Sequence, residues 1–341
     1  MTEIFNSLIS KTLGISARQI EKTIGLLDEG ATIPFISRYR KEVTGALDEV
    51  QIGDIKDQYD KLTELEKRKK TILSSIEEQN KLTPELKKRI EASWDSTELE
   101  DIYLPFKPKR QTKAEIARKK GLEPLATLLM MQATQDIKKA TISYIKGEVK
   151  DAKDALQGAR DIIAEWVNED EQARNTVRNF FARTSVISSK VIKGKEEEGS
   201  KYRDYFDFSE PLNRCSSHRL LALRRGETEG FLRVSISPDT EGCMERLTRK
   251  FVKGNSDASA QVEEAVTDSF KRLLKPSIET EYANLSKVKA DEEAIRVFSE
   301  NLRQLLLSAP LGQKRVLGVD PGYRTGCKIV CLDAQGNLVH N

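Results

Sequence analysis

Apolar residues recur at spacings of three and four along most of the chain, which predicts a succession of helices, each burying one stripe. Ser16-Ala-Arg-Gln19 has the form of a capping box and opens a helix carrying Ile20, Ile24 and Leu27 on one side, with Gly30 as its stop. Pro34 starts a second, short helix with Phe35, Ile36, Tyr39 and Val43 on one face, and Gly45 ends it. Two short helices about a tight turn form a helix-turn-helix-like element. Asp48 then caps a long helix reaching to about Gln79. Val50, Ile52, Ile55, Tyr59, Leu62, Leu65, Ile72 and Ile76 form its apolar stripe. Glu64, Glu66, Lys67, Arg68, Lys69 and Lys70 form its wet surface. At about 1.5 Å per residue this helix exceeds roughly 40 Å and reads as a strut between subdomains.

Thr83-Pro84 reads as an N-cap and first turn, and helices are expected near 85–92, 96–103, 113–120, 123–132, 136–146, 151–168 and 170–182. Between them, Pro105 to Lys113 carries two prolines and four basic residues, an extended loop before a helix capped by Thr112. The texture changes after Thr184. Val186 to Ile192 and Phe231 to Ile236 are rich in β-branched residues, and glycines and a proline lie between them, so short strands and loops are expected over 186–236. Helices return near 239–252, 257–274, 277–286 and 290–308. Pro310-Leu-Gly-Gln reads as a linker. Beyond it, Arg315 to Asp320 and Gly326 to Leu332 are strands, and Leu338 opens a third. The expected fold is mainly α: multihelical, with a long central helix, a small β-containing segment and a β-hairpin at the end.

Composition narrows the class. The 341 residues are 33% charged and only 6% aromatic, a balance that suits long solvated helices. The net charge of +3 is too small to argue for or against a nucleic-acid partner, so clustering must decide. Cys215, Cys243, Cys327 and Cys331 are scattered, and the first residues do not form a secretory signal, which points to reduced thiols in a cytoplasm. No apolar run approaches the roughly 20 residues of a membrane span.

Three stretches carry a family resemblance. They are Ala31-Thr-Ile-Pro-Phe-Ile-Ser-Arg-Tyr-Arg-Lys-Glu-Val-Thr-Gly45, Leu99-Glu-Asp-Ile-Tyr-Leu-Pro-Phe-Lys-Pro-Lys-Arg110, and Ser217-His-Arg-Leu-Leu-Ala-Leu-Arg-Arg-Gly-Glu227. In this order they resemble the bacterial Tex family of transcription accessory proteins. Val316-Leu-Gly-Val-Asp-Pro-Gly322 resembles the first strand of that family's YqgF-like domain, of the RNase H class. The resemblance implies a helical Tex-type region over 1–185, a helical region with short strands over 186–310, and a truncated start of the YqgF-like domain over 311–341. It also implies that a helix-hairpin-helix unit and an OB-fold RNA-binding domain follow in a longer protein, of which this chain is expected to be a piece. The family is similar to a eukaryotic elongation and histone-chaperone factor.

Chemistry of bond making is poorly supplied. RNase H-class nucleases converge several carboxylates on two metals. Asp320 stands where the first ligand belongs and is a weak metal candidate, but the strands that bring its partners are not in the chain, and Asp333 lies at a turn beyond the second strand. His218 is expected to be a structural hydrogen-bond donor. Cys327 and Cys331 face one side of a strand without zinc-knuckle spacing. Pro321 to Gly326 lacks the lysine of a P-loop and reads as a hairpin turn. No enzyme activity and no cofactor are expected.

Two basic clusters are candidate nucleic-acid contacts: Arg38, Arg40 and Lys41 on the short helix, and Lys107, Lys109, Arg110 and Lys113 on the proline-bearing loop, followed by Arg118, Lys119 and Lys120. The bland alternative pairs them with acids such as Asp95 to Asp101. Two functional classes follow: a nucleic-acid-binding module for RNA or DNA, or a protein-interaction scaffold, for example toward RNA polymerase. No membrane partner is expected.

Overall fold

The structure, a computed structural model, describes residues 2–108, 111–133, 136–322 and 326–341. It is mainly α. In chain order the elements are α1 (Thr2–Leu13), α2 (Ala17–Asp28), α3 (Ile33–Tyr39), α4 (Lys41–Thr44), α5 (Glu49–Glu78), α6 (Pro84–Ala92), α7 (Ser96–Tyr103), α8 (Lys113–Lys119), α9 (Glu123–Met131), α10 (Ile137–Ile142), α11 (Ala152–Glu169) and α12 (Glu171–Thr184). There follow β1 (Val186–Val191), β2 (Asp207–Pro211), α13 (Ser217–Thr228), β3 (Leu232–Ser237), α14 (Thr240–Phe251), α15 (Asp257–Ser269), α16 (Lys275–Leu306), β4 (Val316–Gly322), β5 (Gly326–Leu332) and β6 (Leu338–His340). Two compact units result. One holds the residues up to Phe180 together with Thr240–Ile278, and the other holds Phe181–Asp239 with Glu279–Asn341.

In the first unit, local chemistry sets where helices start. Asp48 accepts from Gln51 N at 2.8 Å, and the Gln51 side chain accepts from Asp48 N at 3.1 Å, a complete capping box on α5. Thr83, Asp95, Thr112 and Asp151 cap α6, α7, α8 and α11 by the same side-chain bond. Ser16 caps α2, but Gln19 does not close the reciprocal half. Its amide instead reaches the carbonyls of Thr44 and Gly45, at 3.1 and 3.4 Å, and holds α4 against the start of α2.

Burial along α5 serves two clusters. Ile52 and Ile55 pack with Ile9, Ile20, Ile24, Ile36 and Leu47 at one end. Ile72 and Ile76 pack with Ile90, Leu99, Ile102 and Tyr103 at the other. The strut expected from sequence is therefore a shared wall of two small cores. A third core centres on α11, which packs against α8, α9 and α15. Ile162, Ile163, Val167, Val262, Val266 and Phe270 are fully buried in this unit. Gln132, in left-handed conformation at the end of α9, donates to Phe251 O at 2.8 Å and accepts from Lys253 N at 2.6 Å, tying α9 to the end of α14.

The second unit contains an antiparallel sheet in the order β2-β1-β3, with Ile187 opposite Glu210 and Ile236. Helix α13 lies on β3, and Gly226 permits the approach, because a Cβ there would stand 2.6 Å from Leu232 Cδ1. A second antiparallel sheet, in the order β4-β5-β6, has Asp320 opposite Lys328 and Gly322 opposite Gly326. Residues 323–325, at the expected hairpin turn, lie outside the described residues.

Several expectations need correction. α1 was not foreseen, yet its Phe5 and Ile9 are buried. Helices expected over 277–286 and 290–308 form one helix, α16, because Lys287 to Lys289 contain no breaker. Pro276 sits just past a wide π-type turn, Phe270–Leu274, in which Lys275 N donates to Phe270 O. Such a turn relieves the clash of a proline ring with the preceding helical carbonyls. The segment 186–236 contains α13 as well as strands. Val50, expected in the buried stripe of α5, is 71% exposed. Lys69, expected on the wet face, is buried, because Trp94 and a backbone carbonyl of α6 enclose its ammonium. Cys327 and Cys331, expected in a core strand, are exposed and half-buried.

Candidate nucleic-acid interface

The residues of α3 and α4 define the first basic cluster. A step of about 100° per residue turns Ile36 and Ser37 inward, while Phe35 and Tyr39, one helical turn apart, share a neighbouring line. The expected apolar face is thus split. Ile36 is fully buried, whereas Phe35 is 39% and Tyr39 63% exposed. Their ring centroids lie 5.5 Å apart at 44°. Arg40 places its guanidinium carbon 5.0 Å from the Phe35 centroid and donates from Nη1 to Tyr39 O at 2.9 Å. Arg38 is exposed and approaches Glu49 only to 3.9 Å. Lys41 is exposed at the first position of α4. Among the described residues, no carboxylate comes within 4.0 Å of Arg40 or Lys41.

The second cluster sits on the connection between α7 and α8. A 3-10 turn, Leu104–Phe106, precedes Lys107, and Phe106 O accepts from Gln79 Nε2 at 2.7 Å, anchoring the loop to the end of α5. Lys107 and Lys113 are exposed. Lys109 and Arg110 lie outside the described residues. Lys107 lines a cleft of about 740 Å³ together with Lys81 and Arg118, but Glu78, Glu115, Glu123 and Glu169 line it too. Of the cations that follow, Lys119 is exposed, whereas Arg118 and Lys120 are spent internally. Arg118 pairs with Glu165 at 2.6 Å and Glu123 at 3.5 Å, and Lys120 pairs with Asp154 at 3.5 Å. The acids weighed as partners are engaged elsewhere. Asp95 caps α7, and Asp101 binds Arg174 and Arg178.

The other chemical candidates remain isolated. Asp320 is exposed on β4 with Lys328 across the hairpin. Asp333 accepts from the backbone N–H groups of Gln335 and Asn337 at 2.9 and 2.8 Å. The Asn337 side-chain amide first, and then these backbone bonds, hold its carboxyl below the usual carboxylate range. Among the described residues, no group of three or more His, Cys, Asp or Glu side chains converges as a metal site would require. His218 is exposed, with Nε2 3.4 Å from Ser216 Oγ. Burial, and the hydrogen bond and charge of Glu210, push the Cys215 thiol up to about 12, so it is a poor nucleophile.

Comparison with known proteins assigns the chain. Residues 3–77 match the Tex-like protein N-terminal domain, residues 132–298 the Tex central region, and residues 314–341 the Tex protein YqgF-like domain. The chain belongs to the Tex family. It is 42% identical over 340 residues to the transcriptional accessory protein Tex of Neisseria gonorrhoeae, covering 97% of this chain and 45% of that protein. It is 41% identical over 351 residues to the protein YhgF of Escherichia coli, covering 99% and 45%. The S1 RNA-binding domain-containing protein 1 of Homo sapiens is a more distant relative, 28% identical, with 98% and 35% covered. The Tex-family chain therefore spans less than half the length of these relatives. Its family-matching region at 314–341 contains Asp320 and the hairpin. No helix among the described residues is long and apolar enough to cross a membrane.

The aromatic exposure at Phe35 and Tyr39 escaped the sequence reading. Both residues fit an apolar stripe by spacing, and nothing in one sequence says which members of a stripe find a neighbour.

Proposed function

We propose that this Tex-family chain is the helical N-terminal part of a cytoplasmic, nucleic-acid-associated transcription accessory factor, a frame that presents cations to RNA or DNA and carries no catalytic centre of its own. The observation that carries this is the state of Arg38, Arg40 and Lys41. They stand together on a short exposed helix pair, and two of them lack a carboxylate within 4.0 Å, whereas Arg118 and Lys120 are consumed by internal pairs. Lys107 and Lys113, with Lys109 and Arg110 between them, form a second contact, weakened by the carboxylates that share the cleft at Lys107.

Cations that neutralise phosphates release counterions, so affinity must fall with salt by close to one log unit per contact for each log unit of salt. Titration of labelled single- and double-stranded RNA and DNA at several salt concentrations tests the reading. The triple variant R38Q/R40Q/K41Q is expected to flatten the salt slope by about two to three contacts. No binding at low salt, or a slope unmoved by that variant, overturns it.

A second reading, docking of a protein such as RNA polymerase, draws support from α16. Ile295, Phe298, Leu302 and Leu305 repeat at spacings of three and four and are 64, 66, 42 and 70% exposed. Under it, this chain fails to bind nucleic acid and a pull-down with purified polymerase depends on those four residues.

A further inference from the structure

The geometry points to Tyr39 as the ring on which an unpaired base of a single-stranded nucleic acid stacks, with Phe35 and Arg40 as its supporting wall. This rests on the nucleic-acid reading above and specifies its ligand. Exposed aromatics are uncommon here. The chain is only 6% aromatic, yet two rings one turn apart stand in water on α3. Tyr39 is the freer, at 63% exposure, while Phe35 is backed by the Arg40 guanidinium at 5.0 Å.

That stack has a consequence for charge. Arg40 is tethered twice, to the Phe35 ring and to Tyr39 O at 2.9 Å, so its cation is held beside the rings and not free to sweep through solvent. Arg38 and Lys41 flank it on the chain. Of the nearby acids, Asp48 is used in capping α5, while Glu49 approaches Arg38 only to 3.9 Å and Glu42 is exposed on α4 beside Lys41. A flat π-face beside fixed cations matches a base and its own phosphate at one nucleotide spacing, and stacking tolerates any base. A duplex keeps its bases stacked inside, so only its phosphates reach this surface. The platform therefore favours single strands.

The test uses fluorescence anisotropy with a fluorescein-labelled single-stranded oligonucleotide, poly(U) or poly(dT) about twelve nucleotides long, and a duplex of equal length. Y39L is expected to weaken single-strand binding roughly ten-fold, F35L less, and Y39F to restore it, with the salt slope unchanged and duplex binding within about two-fold. Circular dichroism confirms that each variant is folded, which the exposure of both rings favours. As a positional readout, a 5-iodouridine-substituted strand should photocrosslink to Tyr39, mapped by mass spectrometry. If the chain binds with a salt slope that R38Q/R40Q/K41Q flattens, yet Y39L binds as well as the parent and no crosslink reaches Tyr39, the platform is wrong while the basic surface stands. If the parent chain binds no nucleic acid, both fall, and the exposed rings are a protein contact.

Discussion

The Lys69 ammonium lies 3.3 Å from the centroid of the Trp94 ring and donates to Glu91 O at 2.9 Å. This contact closes α5 against the connection between α6 and α7. Lys69 is only 2% exposed, and burial holds its pKa below the ordinary lysine value, outweighing the attraction of Glu66 and Glu91. The unfolded chain therefore binds that proton more tightly than the folded one. Between the lowered folded pKa and the unfolded value of about 10.5, stability from this group rises with pH; below the folded pKa its penalty is fully present. Lys69→Met carries no such penalty. Urea unfolding followed by Trp fluorescence should show the variant at its best relative to the parent near neutral pH, and losing ground as pH rises. A stability difference flat with pH sinks the argument.

Asp101 offers a second test. It is buried between Arg174, whose Nε lies 2.6 Å from Oδ1, and Arg178, whose Nη2 lies 2.9 Å from the same oxygen. Asp101→Asn keeps the shape and removes the charge, leaving two guanidinium groups in a site built for a carboxylate. The expected loss is about 3–5 kcal/mol, because the desolvated cations lose their counter-charge. The half-exposed pair Arg68–Glu100, at 2.6 Å, is the control, and Arg68→Gln should cost about 1 kcal/mol or less. Equal effects of the two substitutions in urea denaturation contradict this account.

Gly158 lies where α11 packs against Ala117 of α8 and against Leu122, just before α9. A Cβ there would lie 2.4 Å from Leu122 Cδ1 and 3.2 Å from Ala117 Cβ, and Leu122 is itself 1% exposed. Gly158→Val is expected to destabilise by roughly 1–3 kcal/mol through overpacking, despite the better helix propensity of valine. Paired Gly158→Val and Leu122→Ala substitutions should recover part of the loss, and strict additivity in the double-mutant cycle would show that the two do not touch.

Cysteine reactivity separates the four thiols. With its pKa pushed up to about 12, Cys215 holds almost no thiolate near neutrality, and Cys243 is buried, whereas Cys327 is exposed. Iodoacetamide at mildly alkaline pH should label Cys327 first and Cys215 at least about a hundred-fold more slowly, with all four labelled in denaturant. Rapid labelling of Cys215 in the folded chain would be incompatible with its burial beside Glu210.

Much of the frame was legible because it is written in local chemistry. Asp48, Thr83 and Thr112 start helices through a side chain that bonds a backbone N–H three residues on, a rule that needs no distant neighbour. The strands β1, β3, β4 and β5 follow from β-branched runs between turns, and the three quoted motifs fixed the family. Lys109 and Arg110, central to one expected cluster, lie outside the described residues, so that part of the site stands on sequence alone.

Sequence by itself thus determined most of the helices, the caps at Asp48, Thr83 and Thr112, the mainly α class and the Tex family. Only tertiary structure decided which side of each helix is wet. Lys69 goes inside because Trp94 arrives from 25 residues away to cover it, and Tyr39 stays 63% exposed because its ring neighbour, Phe35, lies on the same short helix and is itself exposed. Periodicity names a stripe, but burial needs a second surface, and that surface is supplied by parts of the chain remote in sequence.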